Sequence, residues 1–412
     1  MAVSRTRLTT TIVLAIATAF TSVGVRAEPD KQVYAAAEQY KAESLALLER
    51  LVNVDSGTAN ESGLNQVGGI VTEQLKALGF GVETVSAAPA KGSNIIATLT
   101  GKGKARILLM AHMDTVFKDG TAAAKPFYIK DGRAYGPGVM DDTGGIVAAV
   151  YALKILRQMN FTNYGRITLL LNTNEETGSE GSRTLIEKLA KEHDATLNLE
   201  PGRPADGLVI WRKGGGTAVI EVRGRAAHAG VAPESGRNAA TELAHQVLQM
   251  QKLGDPQKQT TVNFTVFKTG EAKNVIPDLA TAYGDVRVAV PEEYERVEKD
   301  MARISANRLV PDTQVKTSLT RGFPPMPKSE KSDALVEKAQ AIYAELGRKL
   351  TLEGSGGAAD GSLSAGVGTP TLDGFGIVGG GIHTPDEYAE VESVVPRFYL
   401  LARMLMELSA GK

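Results

Sequence analysis

The sequence predicts an α/β protein: a mostly parallel, mixed sheet flanked by helices, with a smaller α+β unit inserted into it. Three observations carry this. Between residues 81 and 199 short β-rich runs alternate with stretches of helical periodicity, as strands joined by crossover helices do. A histidine and several acids recur where apolar runs end, and the carboxyl ends of parallel strands are where such sheets collect functional groups. The pattern changes at Arg212-Lys213-Gly214-Gly215-Gly216 and changes back at Arg321-Gly322-Phe323-Pro324-Pro325.

Helical periodicity runs over 31–52 and again over 64–78, where Gly79 takes a C′-like place. Runs 81–86, 94–99 and 107–110 read as strands. A helix over 145–159 leads to a strand at 166–171, a helix over 182–192 and a strand at 195–199. Inside the insertion, strands at 217–222, 261–267 and 281–290 accompany helices over 238–251 and 292–308, so one sheet face lies under two helices. Helices over 331–346 and 394–408 complete the chain. The domains are then 28–212 with 323–412, and 213–322 between them. Residues 1–27 differ: Arg5 and Arg7 precede the apolar run 11–20, and small residues end at Val25-Arg26-Ala27. That is the layout of a secretory signal peptide, too short to span a bilayer comfortably. The expectation is export to the periplasm or beyond, without a stable membrane anchor.

With 46 basic and 47 acidic residues, nothing directs the chain to nucleic acid. It has no cysteine, so any metal must be held by His, Asp and Glu. His112-Met113-Asp114 closes an apolar strand, and strand alternation puts His112 and Asp114 on one side. Such a pair suits proton handling, a metal ligand with its orienting partner, or a structural hydrogen bond. Asp141-Asp142 sits in a glycine-rich loop that opens a helix, Glu175-Glu176 follows another apolar strand, and Glu200-Pro201 ends the next. Each has a plainer reading as a helix cap, a dipole partner or an ion pair. Gathered in one place, these carboxylates would repel one another without cations, and a histidine beside them makes one or two divalent metals the economical explanation. His383, in Gly379-Gly380-Gly381-Ile382-His383, is the candidate last ligand. His193 and His245 lie in polar helical stretches and read as surface residues. His228, in the small-residue loop Ala226-Ala227-His228-Ala229-Gly230, is placed to act.

Together these residues resemble the zinc aminoacylase/carboxypeptidase superfamily, most closely the bacterial glutamate carboxypeptidase (carboxypeptidase G) family. The motifs are His112-Met113-Asp114, Gly136-Pro137-Gly138 with Asp141-Asp142, Glu175-Glu176 with Gly178-Ser179, Glu200-Pro201, His228-Ala229-Gly230, Asn274-Val275-Ile276-Pro277, Asp285-Val286-Arg287 and His383. The resemblance spans nearly the whole mature chain. It implies a zinc-exopeptidase domain holding two Zn2+, with an inserted lid that dimerises. By that resemblance Asp141 and a water bridge the metals, His112 and Glu200 complete one site, and Glu176 and His383 the other. Asp114 orients His112, Glu175 is general base and then acid, and His228 reaches from the partner's lid to the oxyanion. A cis peptide at Asp141–Asp142 is also implied.

For the substrate, Asn274, Arg287, Arg321 and the loop Gly354-Ser355-Gly356-Gly357 are candidates. Arginine forks suit a free α-carboxylate, which favours release of a C-terminal residue from a small peptide, a folate-type substrate or an N-acyl amino acid. Asp206-Gly207-Leu208-Val209-Ile210-Trp211 is mostly apolar where glutamate-selective members place a lysine and a serine. Arg203, Arg212 or Lys213 are possible replacements, and an apolar C-terminal residue such as Phe or Leu becomes an option. An N-acyl-amino-acid deacylase or dipeptidase of the same superfamily is the alternative. A non-catalytic binding protein on this fold is disfavoured, because Glu175, Glu176 and Glu200 are all present.

Overall fold

The computed structural model describes residues 28–411, so the expected signal peptide lies outside the described residues. Six strands form the main sheet in the order Gly81–Ser86, Ser93–Thr100, Arg166–Asn172, Arg106–His112, Ala195–Asn198, Thr371–Leu372. The first two are antiparallel additions at one edge, and the rest run parallel. The central strand Arg106–His112 is apolar on both faces because both are covered. Ile107, Leu109 and Ala111 belong to the larger core, while Leu108 and Met110 pack with Ile186, Leu189 and Leu363 on the other side. In the larger core the helix Thr143–Gln158 is buried nearly all round, with the terminal helix Val394–Ala410 and the helix Lys41–Val52 against it.

The helix expected over 31–52 is two, Lys31–Gln39 and Lys41–Val52, separated at Tyr40, whose ring packs near Tyr151. A peripheral sheet of very short strands (Tyr128–Lys130, Arg133–Tyr135, Gly379–Gly380, Tyr388–Glu390) and the parallel pair Leu208–Arg212/Leu352–Ser355 add to the expected elements. His193, expected at the surface, is buried: its Nδ1 donates to the Leu189 carbonyl at 2.6 Å and its Nε2 accepts from Thr168 Oγ1 at 2.9 Å. The polar sequence around it belongs to a helix end that turns this ring back onto the sheet. His245 is half-buried, its Nε2 enclosed.

Residues 214–321 form a unit with its own core. Four antiparallel strands lie in the order Thr261–Thr269, Leu279–Val288, Gly214–Arg223, Gln314–Arg321. Alternation along Leu279–Val288 sends Ala280, Ala282, Val286 and Val288 into a core shared with the helices Ala239–Met250 and Glu292–Ile304. Thr281, Tyr283, Asp285 and Arg287 take the other, open face. The root of the unit is tied across both chain crossings, since Tyr294 Oη lies 2.8 Å from the Gly215 carbonyl and 2.9 Å from that of Phe323. Among the described residues, no helix is long and apolar enough to cross a membrane.

Candidate metal centre and active site

Three parallel strands end at the same edge of the sheet and deliver the first donors: His112 ends one, Glu175 and Glu176 follow the second, and Glu200 follows the third. The His112 ring is oriented by Asp114, with Nδ1 2.9 Å from the Asp114 carbonyl and 3.4 Å from its carboxylate. Its Nε2 then faces Asp141 Oδ1 at 3.1 Å and Glu200 Oε1 at 3.7 Å. The other Asp141 oxygen lies 3.2 Å from His383 Nε2, which is also 3.1 Å from Glu176 Oε2. Asp141 is therefore common to two sets, His112–Asp141–Glu200 and Asp141–Glu176–His383, each able to converge on one ion. Imidazole and carboxylate donors in threes, sharing one aspartate, suit a pair of divalent cations.

Backbone devices hold these groups. The Asp114 carboxylate accepts from the N–H of Glu175 at 3.0 Å and of Glu176 at 3.3 Å, and from Thr58 Oγ1 at 2.6 Å, so it positions the acidic turn as well as His112. The Asp141–Asp142 peptide is cis. Asp142 does not cap its helix; its Oδ2 accepts from the His112 N–H at 3.3 Å. Gly145 makes room for it, because a Cβ there would lie 2.1 Å from Asp142 Oδ1 and 2.3 Å from the Leu199 carbonyl. His383 stands with φ +63° just after Gly381 and is half exposed, whereas His112 is fully enclosed.

Charge in the cluster is unbalanced. Burial, followed by the charge of Glu200, pushes Glu175 well above the usual carboxylate range. Burial and then Asp141 push Glu200 to about 8, against the opposing charge of Arg212. The imidazoles respond in the opposite sense. Hydrogen bonds to Asp141 and Glu176 raise His383 to about 10, and Asp114 and Asp141 outweigh burial to raise His112. Asp141 stays well below the usual range because its bonds to both imidazoles outweigh its burial. The carboxylates of each donor set thus favour positive charge at its centre, the charge that a divalent cation would supply.

Beside the donors opens a cleft of about 470 Å³, with Glu175, Glu176, His383 and Gly357 on one side and Arg287 and Thr320 on the other. Arg287 is held by Asp285, which meets its Nε at 3.0 Å. Arg321, expected to bind substrate, is not in this cleft. Strand alternation turns Thr320 toward the cleft and Arg321 toward the helix side, where its Nη2 pairs with Glu298 at 3.2 Å. Asn274 and His228 lie together outside it, joined through the Ala229 N–H and the Asn274 carbonyl at 2.9 Å. The exposed His228 ring accepts the Gly230 and Val231 N–H groups on Nδ1, both at 3.2 Å, which leaves Nε2–H as a free-facing donor.

Several residues with a part in the site were not singled out in the sequence. The Glu387 carboxylate gathers the N–H groups of Gly138, Met140 and Asp141 at 3.3, 2.9 and 3.1 Å, fixing the loop that carries Asp141. Asp360 accepts from Ser179 Oγ at 2.5 Å and from Asn172, fastening the turn after Glu176. Both follow glycine-rich stretches already noted, which was the one signal available.

Residues 108–407 match the model of peptidase family M20/M25/M40. The chain belongs to this family. As an M20/M25/M40 peptidase with paired donor sets, it is a hydrolase of the metallopeptidase kind. It is 37% identical to carboxypeptidase G2 of Pseudomonas sp. (strain RS-16), over 98% of each chain. It is 28% identical to a succinyl-diaminopimelate desuccinylase of Gluconacetobacter diazotrophicus, over 89% of this chain and 97% of that one. Among solved structures, aminopeptidase PepT from Bacillus cereus superposes with a TM-score of 0.77 at 25% identity, over 89% of this chain and 98% of that one. An M20-family metallo-carboxypeptidase from Sulfolobus solfataricus gives 0.71 at 18% identity, over 89% and 99%, a likeness of fold.

Proposed function

We propose that the protein is an exported di-zinc carboxypeptidase that hydrolyses the amide bond to the C-terminal residue of a small peptide or N-acyl amino acid. The observation that carries this is Asp141, shared by two donor sets, with Glu175 beside them in the same cleft. Zinc held by these donors supplies a polarised carbonyl and a more acidic water. Glu175 takes the proton of the attacking water on a carboxylate oxygen. It returns the proton to the leaving amine. Arg287, across the cleft, meets the free carboxylate of the departing residue. His228 offers its Nε2–H to the developing oxyanion. Because His228 is absent from its own cleft lining, the reading that it comes from a second copy through the 214–321 unit is preferred.

Which C-terminal residue is released depends on the neighbourhood of Ser355. Arg203 Nη2 lies 3.5 Å from Ser355 Oγ, and the Lys213 backbone N–H bonds the Ser355 carbonyl at 2.9 Å; these two residues are the candidates to read a glutamate. Without their participation an apolar residue is the better fit. The test is a panel of N-acyl and peptide substrates ending in Glu, Asp, Phe or Leu, run on chelator-treated and zinc-restored protein. Activity should vanish on chelation, return with zinc, and require the free C-terminal carboxylate. Full activity in strictly metal-free protein would overturn the proposal.

A further inference from the structure

Arg212 is the last residue of the strand Leu208–Arg212, where the chain leaves for the 214–321 unit. Sequence reading made it a possible partner for a substrate side chain, but its side chain is only 2% exposed and faces inward. Its Nε donates to Asp373 Oδ2 at 2.6 Å, Nη1 to the Gly357 carbonyl at 3.2 Å, and Nη2 to Glu200 Oε2 at 3.4 Å. Its backbone pairs with Met326 in both directions, at 2.9 and 3.0 Å, where the chain returns from the unit. Asp373 is fully buried, so the guanidinium is held at every nitrogen and cannot swing away. Among the described residues it is the one Lys or Arg within ion-pair distance of a candidate ligand carboxylate.

We propose that Arg212 is a positioning residue for the inner metal position: it occupies Glu200 Oε2 and so presents the single oxygen Oε1 to His112 and Asp141. The inference rests on the di-metal reading above. A carboxylate able to rotate would offer either or both oxygens, and the ordering of Glu200 would have to be supplied when the ion binds. A fixed fork removes that freedom beforehand, and Asp373 and Gly357 fix the fork. Among the described residues, the outer set, Asp141–Glu176–His383, has no such cation behind it.

The experiment is a zinc titration, by calorimetry and by competition with a chromophoric chelator, of wild-type protein, Arg212→Met and Arg212→Lys. Wild-type should bind two ions per chain. In Arg212→Met one ion should bind about 10–100-fold more weakly, as loss of a ligand's orienting partner typically does, while the other keeps its affinity. Arg212→Lys keeps the charge but cannot reach three separated acceptors at once, so it should show the same selective weakening in smaller measure. It also decides the matter if Arg212→Met does not fold. A purely structural Arg212 would lower the melting temperature and leave both affinities as in wild-type; that result, or equal weakening of both positions, overturns the proposal. Wild-type protein that binds fewer than two ions would instead overturn the di-metal reading itself.

Discussion

Glu175 is enclosed among carboxylates, yet among the described residues no hydrogen bond commits its side chain elsewhere, and its turn is held through its backbone by Asp114. Glu175→Gln therefore keeps the turn and the volume while removing the proton acceptor. A positioned general base is worth about 10²–10⁴ in rate, so kcat should fall by that order with the metal content unchanged. Steady-state kinetics beside metal analysis of the same sample checks this. A variant that loses metal and keeps residual turnover would make Glu175 a ligand and displace Glu176 from that role. His112, Asp141, Glu176, Glu200 and His383 were legible in the sequence because a histidine or an acid at a strand end or in a glycine loop is already unusual. The contacts of Arg212 with Glu200, Asp373 and Gly357, and of Glu387 with the loop carrying Asp141, were not, because nothing in the local sequence shows which way these side chains point. Arg321 is visible as a basic residue at the end of the insertion, but the side to which it points follows from the pairing of its strand with Gly216, which the sequence does not show.

The central strands of the main sheet, Arg106–His112, Arg166–Asn172 and Ala195–Asn198, were readable from their apolar runs because both faces are covered, whereas the two-residue edge strand Thr371–Leu372 was not read. Nor were the peripheral strands. Tyr128–Lys130 and Arg133–Tyr135 are three residues each, and what holds them is stacking of Tyr128 on Tyr135 at 4.9 Å and Arg133 over the Tyr388 ring at 4.0 Å, contacts invisible to periodicity. The joint between the helix Arg183–Lys191 and the strand Arg166–Asn172 makes a testable case. There burial, outweighing the bond to the Leu189 carbonyl, lowers His193 from 6.5 to about 4. The folded imidazole refuses a proton that the unfolded chain accepts below pH 6.5. Its contribution is thus full above 6.5 and is lost as pH falls toward about 4. Melting temperatures across that window should fall more steeply for wild-type than for His193→Gln. Equal slopes would mean that His193 titrates alike in both states.

At the scale of the molecule, the catalytic domain is assembled from both ends of the chain, and the 214–321 unit brings one wall of the cleft. The unit's carrier of His228 is the remaining piece, proposed to act across a homodimer. His228→Ala should lose about 10²–10³ in kcat, the usual cost of an oxyanion donor, with metal content intact. Mixing His228→Ala with Glu175→Gln chains under subunit exchange should restore activity, since one site in each heterodimer then has both groups. A mixture as inactive as its parents despite proven exchange would put His228 in cis or out of the mechanism. Beneath these expectations lies the sharing of Asp141 between two metal positions, built from residues as far apart in sequence as His112 and His383. Anomalous diffraction at the zinc edge from crystals of the zinc-loaded protein tests it most directly. Two peaks are expected, one about 2.0–2.2 Å from donors of His112, Asp141 and Glu200 and the other equally close to Asp141, Glu176 and His383; a single peak, or peaks away from Asp141, would contradict the account.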